Sequence, residues 1–242
     1  MSYFIYNNID SRTFGLLKRP PFVNKSQKNL SPVAVPDSPV KFYPDVNTRD
    51  EIQITVTLGL KSRENIRQIY AWLDNTSGSL SFSSEPDKCY YVQNVTVSSN
   101  YLSPRFGELE ITFICQPFAY AVMPTVVEFS SETVEVPNNG TIFSYPEISF
   151  IPTDDEVIVT VNGADFILRG LASIDGGGII GNRTVMIDSE LHITYFIGYT
   201  GVKWAINDHT FNDYPRLHTG LNYISHNGNA QNAEINVRER FL

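Results

Sequence analysis

The chain has 242 residues and a formal net charge of −8, with 42% hydrophobic and 18% charged residues. These values indicate a folded protein of one large or two small domains and exclude a disordered chain. No apolar run reaches the length of about 18 residues that a transmembrane helix needs, and the first residues lack the continuous apolar region of a signal peptide.

The charges divide the chain into two unlike halves. Residues 1–125 contain 12 basic and 11 acidic residues, whereas residues 126–242 contain 6 and 15. The resulting balances of +1 and −9 predict two domains. Neither balance suits nucleic-acid binding, which requires a basic surface. The aromatic content, with 13 Tyr and 15 Phe, favours β-strands.

The chain begins with a short predicted strand, Tyr3–Ile5, and then becomes rich in proline. Six of the 14 prolines lie in residues 20–47. Proline lacks the N–H group that a central strand must donate, so this segment is not a core strand. Because apolar side chains are spread along it, we predict an extended arm that packs on its own chain or on a neighbouring subunit.

A strand and the only predicted helix follow the arm. Apolar residues occupy every second position of residues 51–60, which predicts a strand with one buried face. Ser62 is a suitable N-cap, and apolar residues then recur at helical spacing. The pattern predicts a short amphipathic helix over residues 63–74. Two further strands are predicted at Ser79–Phe82 and Tyr90–Val97.

The last strand before the change in composition lies within Phe106–Tyr120. From Leu109 to Cys115, large apolar residues occupy alternate positions, so one face of the strand is predicted to lie in a core. Phe118 falls on the opposite, mostly polar face. We predict that Ala119–Pro124 is a hinge between an N-terminal domain of residues 1–124 and a C-terminal domain of residues 125–242.

The second half has the pattern of a β-sandwich. Asn162-Gly163 lies between two apolar runs and predicts a type I′ hairpin turn. Short strands separated by turn residues, with no helical pattern, are typical of sandwiches and jelly rolls. The predicted strands are Val126–Phe129, Ile148–Phe150, Val157–Val161, Phe166–Arg169, Arg183–Ile187, Leu191–Phe196, Leu221–Ser225 and Glu234–Arg238.

Three features were weighed as catalytic or cofactor sites. Asp175–Thr184 is rich in glycine but lacks the Gly-Lys-Ser/Thr ending and the helix of a phosphate loop, so it is predicted to be a hairpin loop. The four histidines lack the spacing of a zinc site. Asp154, Asp155 and Glu156 are predicted to form a solvated turn rather than a glycosidase acid pair. We therefore predict no enzyme activity, no metal and no cofactor.

Of the two cysteines, Cys115 lies in a predicted strand and Cys89 directly precedes another. Two cysteines are too few for a disulfide framework, and free buried thiols are favoured over a disulfide between them.

An aromatic and polar cluster in residues 201–216 is the one candidate binding site. Sugars stack on aromatic rings, so this segment is compatible with a lectin surface, although a half-buried sandwich edge is the plainer interpretation and is favoured. The residues predicted to contact a sugar are Trp204, His209, Asn212 and Arg216.

The order of these features resembles the distal tail protein (Dit) family of long-tailed bacteriophages. The resemblance rests on four segments taken together, and it spans essentially the whole chain. They are Ile9–Leu16 with the arm that follows it, the strand–helix segment ending at Trp72-Leu73, the strand pair ending in GELEITFICQPFAYA, and NNGTIFSYPEISF with Val185–Leu191 and His218–Gly228.

The resemblance implies a mainly β protein, with an N-terminal β domain containing one short helix and a C-terminal galectin-like β-sandwich. It implies a homo-hexamer, in one ring or two stacked rings, that joins the tail tube protein to the tail-associated hub protein at the phage tail tip. Receptor-binding proteins would attach to it, DNA would pass through without specific binding, and no membrane is involved.

The protein would be made in the host cytoplasm and reside in the virion. The alternative is a carbohydrate-binding module that contacts the host cell wall. His209 and Trp204 do not reproduce the galectin sugar motifs, which weakens that alternative.

Overall fold

The computed structural model describes residues 2–30, 33–34, 41–42, 48–61, 65–74, 77–100, 107–176, 179–181, 183–198 and 200–242. The chain divides into two compact units, Met1–Val122 with Leu242 and Met123–Phe241, called here the first and second units. The prediction of a mainly β protein with one short helix is confirmed for the described residues. None of the helices described is long and apolar enough to span a bilayer.

The described residues of the first unit form nine strands and one α-helix. The strands are β1 (Phe4–Tyr6), β2 (Ile9–Asp10), β3 (Gly15–Leu17), β4 (Val33–Ala34), β5 (Lys41–Phe42), β6 (Ile52–Leu60), β7 (Gly78–Phe82), β8 (Glu85–Asn100) and β9 (Glu108–Ala121). The helix is α1 (Ile66–Leu73), and Ser11–Thr13 forms a turn of 3-10 helix. Seven of these strands form an antiparallel sheet in the order β2-β1-β7-β8-β9-β6-β3, and β4 pairs with β5.

Helix α1 covers one face of this sheet. The alternating residues of β6 and β9 are buried as predicted, and Ile69, Trp72 and Leu73 of α1 are buried with them. The helix as described runs from Ile66 to Leu73, and residues 62–64, which include the proposed N-cap Ser62, lie outside the described residues. Asn65 precedes the helix without a side-chain cap, so packing of the apolar face holds it in place.

Phe118 is buried rather than displayed on the polar face of β9, at 6% exposure. Cys115 pairs with Val92 and Ala119 pairs with Tyr90, so three residues of β9 lie opposite one residue of β8. Such a bulge changes the phase of the alternation, and Pro117 lies within it. The strict period that predicts the inward face of β9 therefore does not extend past Gln116.

Hydrogen bonds join the two ends of the arm. Lys28 and Arg49 form an antiparallel bridge, and the N–H of Asn29 donates to the carbonyl of Thr48. The Arg49 guanidinium also donates to the Ser26 carbonyl at 3.0 Å. The two ends of the proline-rich segment are therefore held side by side. Between them the structure describes the small β4–β5 pair.

Twelve strands lie in the part of the second unit that the structure describes. They are β10 (Val126–Phe129), β11 (Val134–Asn138), β12 (Glu147–Pro152), β13 (Glu156–Val161), β14 (Ala164–Arg169), β15 (Val185–Asp188), β16 (Ile193–Ile197), β17 (Lys203–Ala205), β18 (Thr210–Phe211), β19 (Gly220–His226), β20 (Ala230–Asn236) and β21 (Arg240–Phe241). Turns of 3-10 helix occupy Leu171–Gly176 and Asn207–His209.

Two of its sheets pack face to face as a sandwich. The six-stranded sheet has the order β10-β20-β12-β15-β16-β17, and the five-stranded sheet has the order β11-β19-β13-β14-β18. Buried side chains of both sheets, such as Phe150 and Phe166, belong to one core. The hairpin at Asn162-Gly163 is confirmed, with φ of 52° and 80° as a type I′ turn requires.

The glycine-rich segment is not the hairpin loop that was predicted. It links β14 in the five-stranded sheet to β15 in the six-stranded sheet, and hairpin strands must be neighbours in one sheet. Its first part is the 3-10 turn Leu171–Gly176. No α-helix begins there in the described part of the segment, so the P-loop reading finds no support.

Both cysteines are free and buried, as expected. Burial raises the pKa of the Cys115 thiol to about 12 and also raises that of Cys89. At neutral pH these thiols are therefore protonated and inert in the folded protein.

The burial of His226 makes the stability of the fold sensitive to acid. Its ring accepts a hydrogen bond from the N–H of Gly228 and lies edge-on to Phe129, and burial lowers its pKa. The pKa of His226 is therefore lower in the folded state than in the unfolded state, where it is about 6.5. The stability that depends on neutral His226 is fully present above about pH 6.5, and it is lost as pH falls. We expect His226→Gln to flatten the decline of the unfolding free energy between about pH 7 and about pH 5.

Urea unfolding at several pH values measures this slope. The slope for His226→Gln is compared with that of the wild-type chain, which is expected to be steeper. An unchanged slope in His226→Gln would show that His226 does not titrate with unfolding.

Candidate functional site

The four residues predicted to contact a sugar lie along two different clefts of the second unit. Trp204 and His209 line a cleft of about 360 Å³, and Asn212 and Arg216 line another of about 450 Å³. We call these the edge cleft and the end cleft. The four residues therefore do not form one binding surface, because β17 and β18 belong to different sheets.

The edge cleft is built around Trp204. Strand β17 is the outermost strand of the six-stranded sheet, and Trp204 lies opposite Phe196 of β16 with the rings stacked at 6.5 Å. Trp204 is 51% exposed. His209 has its Nδ1 atom 2.8 Å from the carbonyl of Arg169, so one ring nitrogen is already used in joining the edges of the two sheets.

The end cleft is walled by a row of rings. The imidazole of His192 stacks on the Tyr214 ring at 5.1 Å with only 3° between their planes. Tyr214 contacts Phe166 on β14 at 4.9 Å, and the edge of Tyr145 meets His192 at 6.2 Å. Sequence reasoning singled out neither His192 nor Tyr145, because they come from loops distant in sequence.

The turn that carries His192 is held by a buried ion pair. Arg238 contacts Asp188 through two N–O pairs of 2.9 and 3.1 Å, and it also contacts Glu147 at 3.1 Å. The Asp188 carboxylate accepts hydrogen bonds from the N–H groups of Glu190 and Leu191. Burial disfavours the charge on Asp188, but Arg238 and the Leu191 N–H outweigh it and lower its pKa.

The polar groups of the end cleft come from the segment after β18. Asn212 has a left-handed backbone with φ of 71°, and its amide donates to the Asp165 carbonyl at 2.9 Å. Asp213 and Arg216 follow it and are exposed. The guanidinium of Arg216 lies over the Phe143 ring at 5.2 Å, which sets its direction beside the cleft.

The three consecutive acids lie apart from both clefts. Asp154 and Asp155 form an exposed bend, where Asp155 accepts a hydrogen bond from the N–H of Ala172. Glu156 pairs with Arg169 across β13 and β14. Each acid thus has a structural contact, and the described residues contain no group of three or more potential metal ligands.

The N-terminal segment of the first unit exposes several apolar side chains. Phe22 is 80% exposed at the start of the arm. Leu16 lies on edge strand β3, and Lys18, just after this strand, pairs with Glu108 of β9. Apolar side chains along a sheet edge and an arm are typical of surfaces that other chains cover. The exposed apolar residues of this segment are Ile9, Leu16, Phe22 and Leu30, and those elsewhere in the unit are Tyr70, Tyr91, Val122 and Leu242.

The comparisons with known proteins place this architecture among phage tail components. Residues 1–117 match the family model described as phage tail protein N-terminal domain. The whole chain superposes on the crystal structure of the Dit protein of phage SPP1 with a TM-score of 0.69 and 15% sequence identity, covering 100% of each chain. No curated protein matches the sequence.

The first unit is therefore similar, over residues 1–117, to a phage tail protein N-terminal domain, and together the two matches support a structural role in a phage tail. Over its full length the chain has the fold of the SPP1 Dit protein. The SPP1 protein is described as a paradigm of the hub adsorption apparatus in phages that infect Gram-positive bacteria.

Proposed function

We propose that this chain is the distal tail adaptor of a phage, a homo-hexameric ring in one or two layers at the tail tip. The observation that carries the proposal is the match of residues 1–117 to a phage tail protein N-terminal domain. The full-length likeness to SPP1 Dit adds a fold in keeping with this role. The chain then acts as a structural virion component rather than as an enzyme.

The exposed apolar residues of the arm and of edge strand β3 support the assembly of several copies. A ring forms when one surface of each subunit binds a different surface of the next, and the rotation closes. Phe22 and Leu16 are exposed in the single chain and would be covered by the neighbouring subunit. The bridge between Lys28 and Arg49 fixes the point from which the arm extends to that neighbour.

The partners in this proposal are the tail tube protein on one side of the ring and the tail-associated hub protein on the other. Receptor-binding proteins attach to the ring, which makes it a platform in host attachment. DNA passes through the opening without specific binding, in keeping with a net charge of −8.

Co-elution in gel filtration tests the partner assignment. The chain is mixed with the tail tube protein and the hub protein encoded beside it, and complexes with both are expected. Phe22→Ser should weaken subunit assembly without changing the unfolding temperature of the dissociated single chain, because Phe22 is exposed there. Failure to bind either tail protein as a full-length chain would contradict the adaptor role.

A further inference from the structure

We propose that the end cleft of the second unit is a binding site for a neutral saccharide. This inference goes beyond the adaptor role and does not depend on the formation of a ring. It places the sugar contacts at Tyr145, His192, Asn212, Asp213, Tyr214 and Arg216, and it leaves Trp204 and His209 outside the site.

The size and wall of the end cleft suit a sugar ring. Its volume of about 450 Å³ is within the range of about 300–1,000 Å³ that ligand pockets occupy. The row formed by Tyr145, His192 and Tyr214 gives an apolar wall against which the C–H face of a sugar packs. The polar groups lie on the neighbouring loop, so one ligand can touch both surfaces.

The polar groups select a hydroxyl-rich, uncharged ligand. Asp213 supplies acceptors and Arg216 supplies donors, and neither forms a hydrogen bond or ion pair with another described residue. A sugar hydroxyl both donates and accepts, so it can use both groups. An anion would face the Asp213 carboxylate, and a cation would face the Arg216 guanidinium, which disfavours charged ligands.

Hydrogen bonds fix the loops that line the cleft. The side-chain amide of Asn207 donates to the His192 carbonyl at 3.0 Å, which holds His192 beside Tyr214. The side-chain amide of Asn212 donates to the Asp165 carbonyl at 2.9 Å. The rings and the polar groups of the cleft are therefore held in place before a ligand binds.

Saturation-transfer NMR of the full chain tests the proposal, since it observes the ligand and works for a monomer or a ring. The probes are glucose, galactose, rhamnose and N-acetylglucosamine, with glycerol phosphate as the anionic probe. We expect at least one neutral sugar to bind with a millimolar Kd. Asp213→Asn and Arg216→Ala should each raise that Kd about tenfold or more, because each removes a charge-assisted hydrogen bond.

The matched control is Trp204→Ala, an exposed aromatic in the other cleft, which should leave the Kd unchanged. Thermal melting of each variant confirms that the fold is intact. The proposal is overturned if no neutral sugar binds at about 20 mM, or if glycerol phosphate alone binds. It is also overturned if Trp204→Ala abolishes binding while Asp213→Asn does not. Sugar binding is measured equally well on a monomer or a ring, so a protein that fails to form a ring would still test this proposal.

Discussion

Replacing Trp72 by alanine is expected to destabilise the first unit by about 3–5 kcal/mol, the usual cost of deleting a buried tryptophan side chain. Trp72 is the residue of α1 that joins the helix to the sheet. Its ring stacks on Phe4 at 5.7 Å and lies 5.1 Å from the Phe14 ring. Its indole N–H donates to the carbonyl of Tyr6 at 3.0 Å. The substitution leaves a cavity and removes the indole hydrogen bond to the Tyr6 carbonyl at the same place.

Urea unfolding followed by circular dichroism measures the loss of stability, and hydrogen exchange locates it. Peptides of β1 and β9 should lose protection, whereas peptides of the second unit should not. Trp72→Phe keeps a ring on Phe4 but loses the hydrogen bond, so about 1–2 kcal/mol is expected. The half-exposed Trp204, changed to alanine, should cost less than about 1 kcal/mol. A Trp72→Ala chain as stable as the wild type would contradict this account of the core.

Replacing Arg238 by alanine is expected to cost the second unit about 2–4 kcal/mol at neutral pH, because a buried carboxylate loses its partner. Asp188 then keeps its charge in a mostly buried position, with its side chain 9% exposed. Glu147 loses the same guanidinium. The turn that carries His192 is loosened as well, since Asp188 caps it.

The pH dependence of this cost identifies its origin. Arg238 lowers the folded-state pKa of Asp188, so its stabilisation is present above the unfolded value of about 3.9 and is lost as pH falls through the folded value. The difference between wild type and Arg238→Ala should therefore shrink in acid. Arg169→Ala, which breaks the exposed pair with Glu156, should cost at most about 1 kcal/mol. An equal cost at both positions would contradict the role of burial.

Strong periodicity made the central strands predictable. Strands β6 and β9 alternate over many residues because one face of each lies in the core, and their inward residues follow from the period. The hairpin turn at Asn162-Gly163 was equally predictable, since few residue pairs adopt positive φ at both central positions of a turn. These features depend on local sequence alone.

Most edge strands were not predictable in the same way, although β10 at one edge of the six-stranded sheet was predicted with its observed bounds. Strands β2, β3, β11, β17 and β18 were missed, and each is short and lies at an edge of its sheet. Pro137 in β11 argued against a strand, but an edge strand has a free side on which the missing N–H costs nothing. An edge strand forms because a longer neighbouring strand supplies its hydrogen-bond partners. The sequence of the edge strand itself does not indicate that such a partner is present.

The candidate site depends on contacts between distant segments. Asn212 and Arg216 were identified because aromatic and polar residues cluster around them in sequence. His192 and Tyr145 were not, since only the folding of three loops brings them together. Trp204 and His209 were grouped with them by sequence proximity, although β17 and β18 separate into different sheets.

The mass of the full-length protein in solution, measured by light scattering over a range of concentrations, tests the adaptor proposal most directly. The proposal predicts a particle of six times the chain mass of 27.3 kDa, or twelve times if two rings stack. A single chain at every concentration, both alone and in the presence of the tail tube and hub proteins, would contradict it.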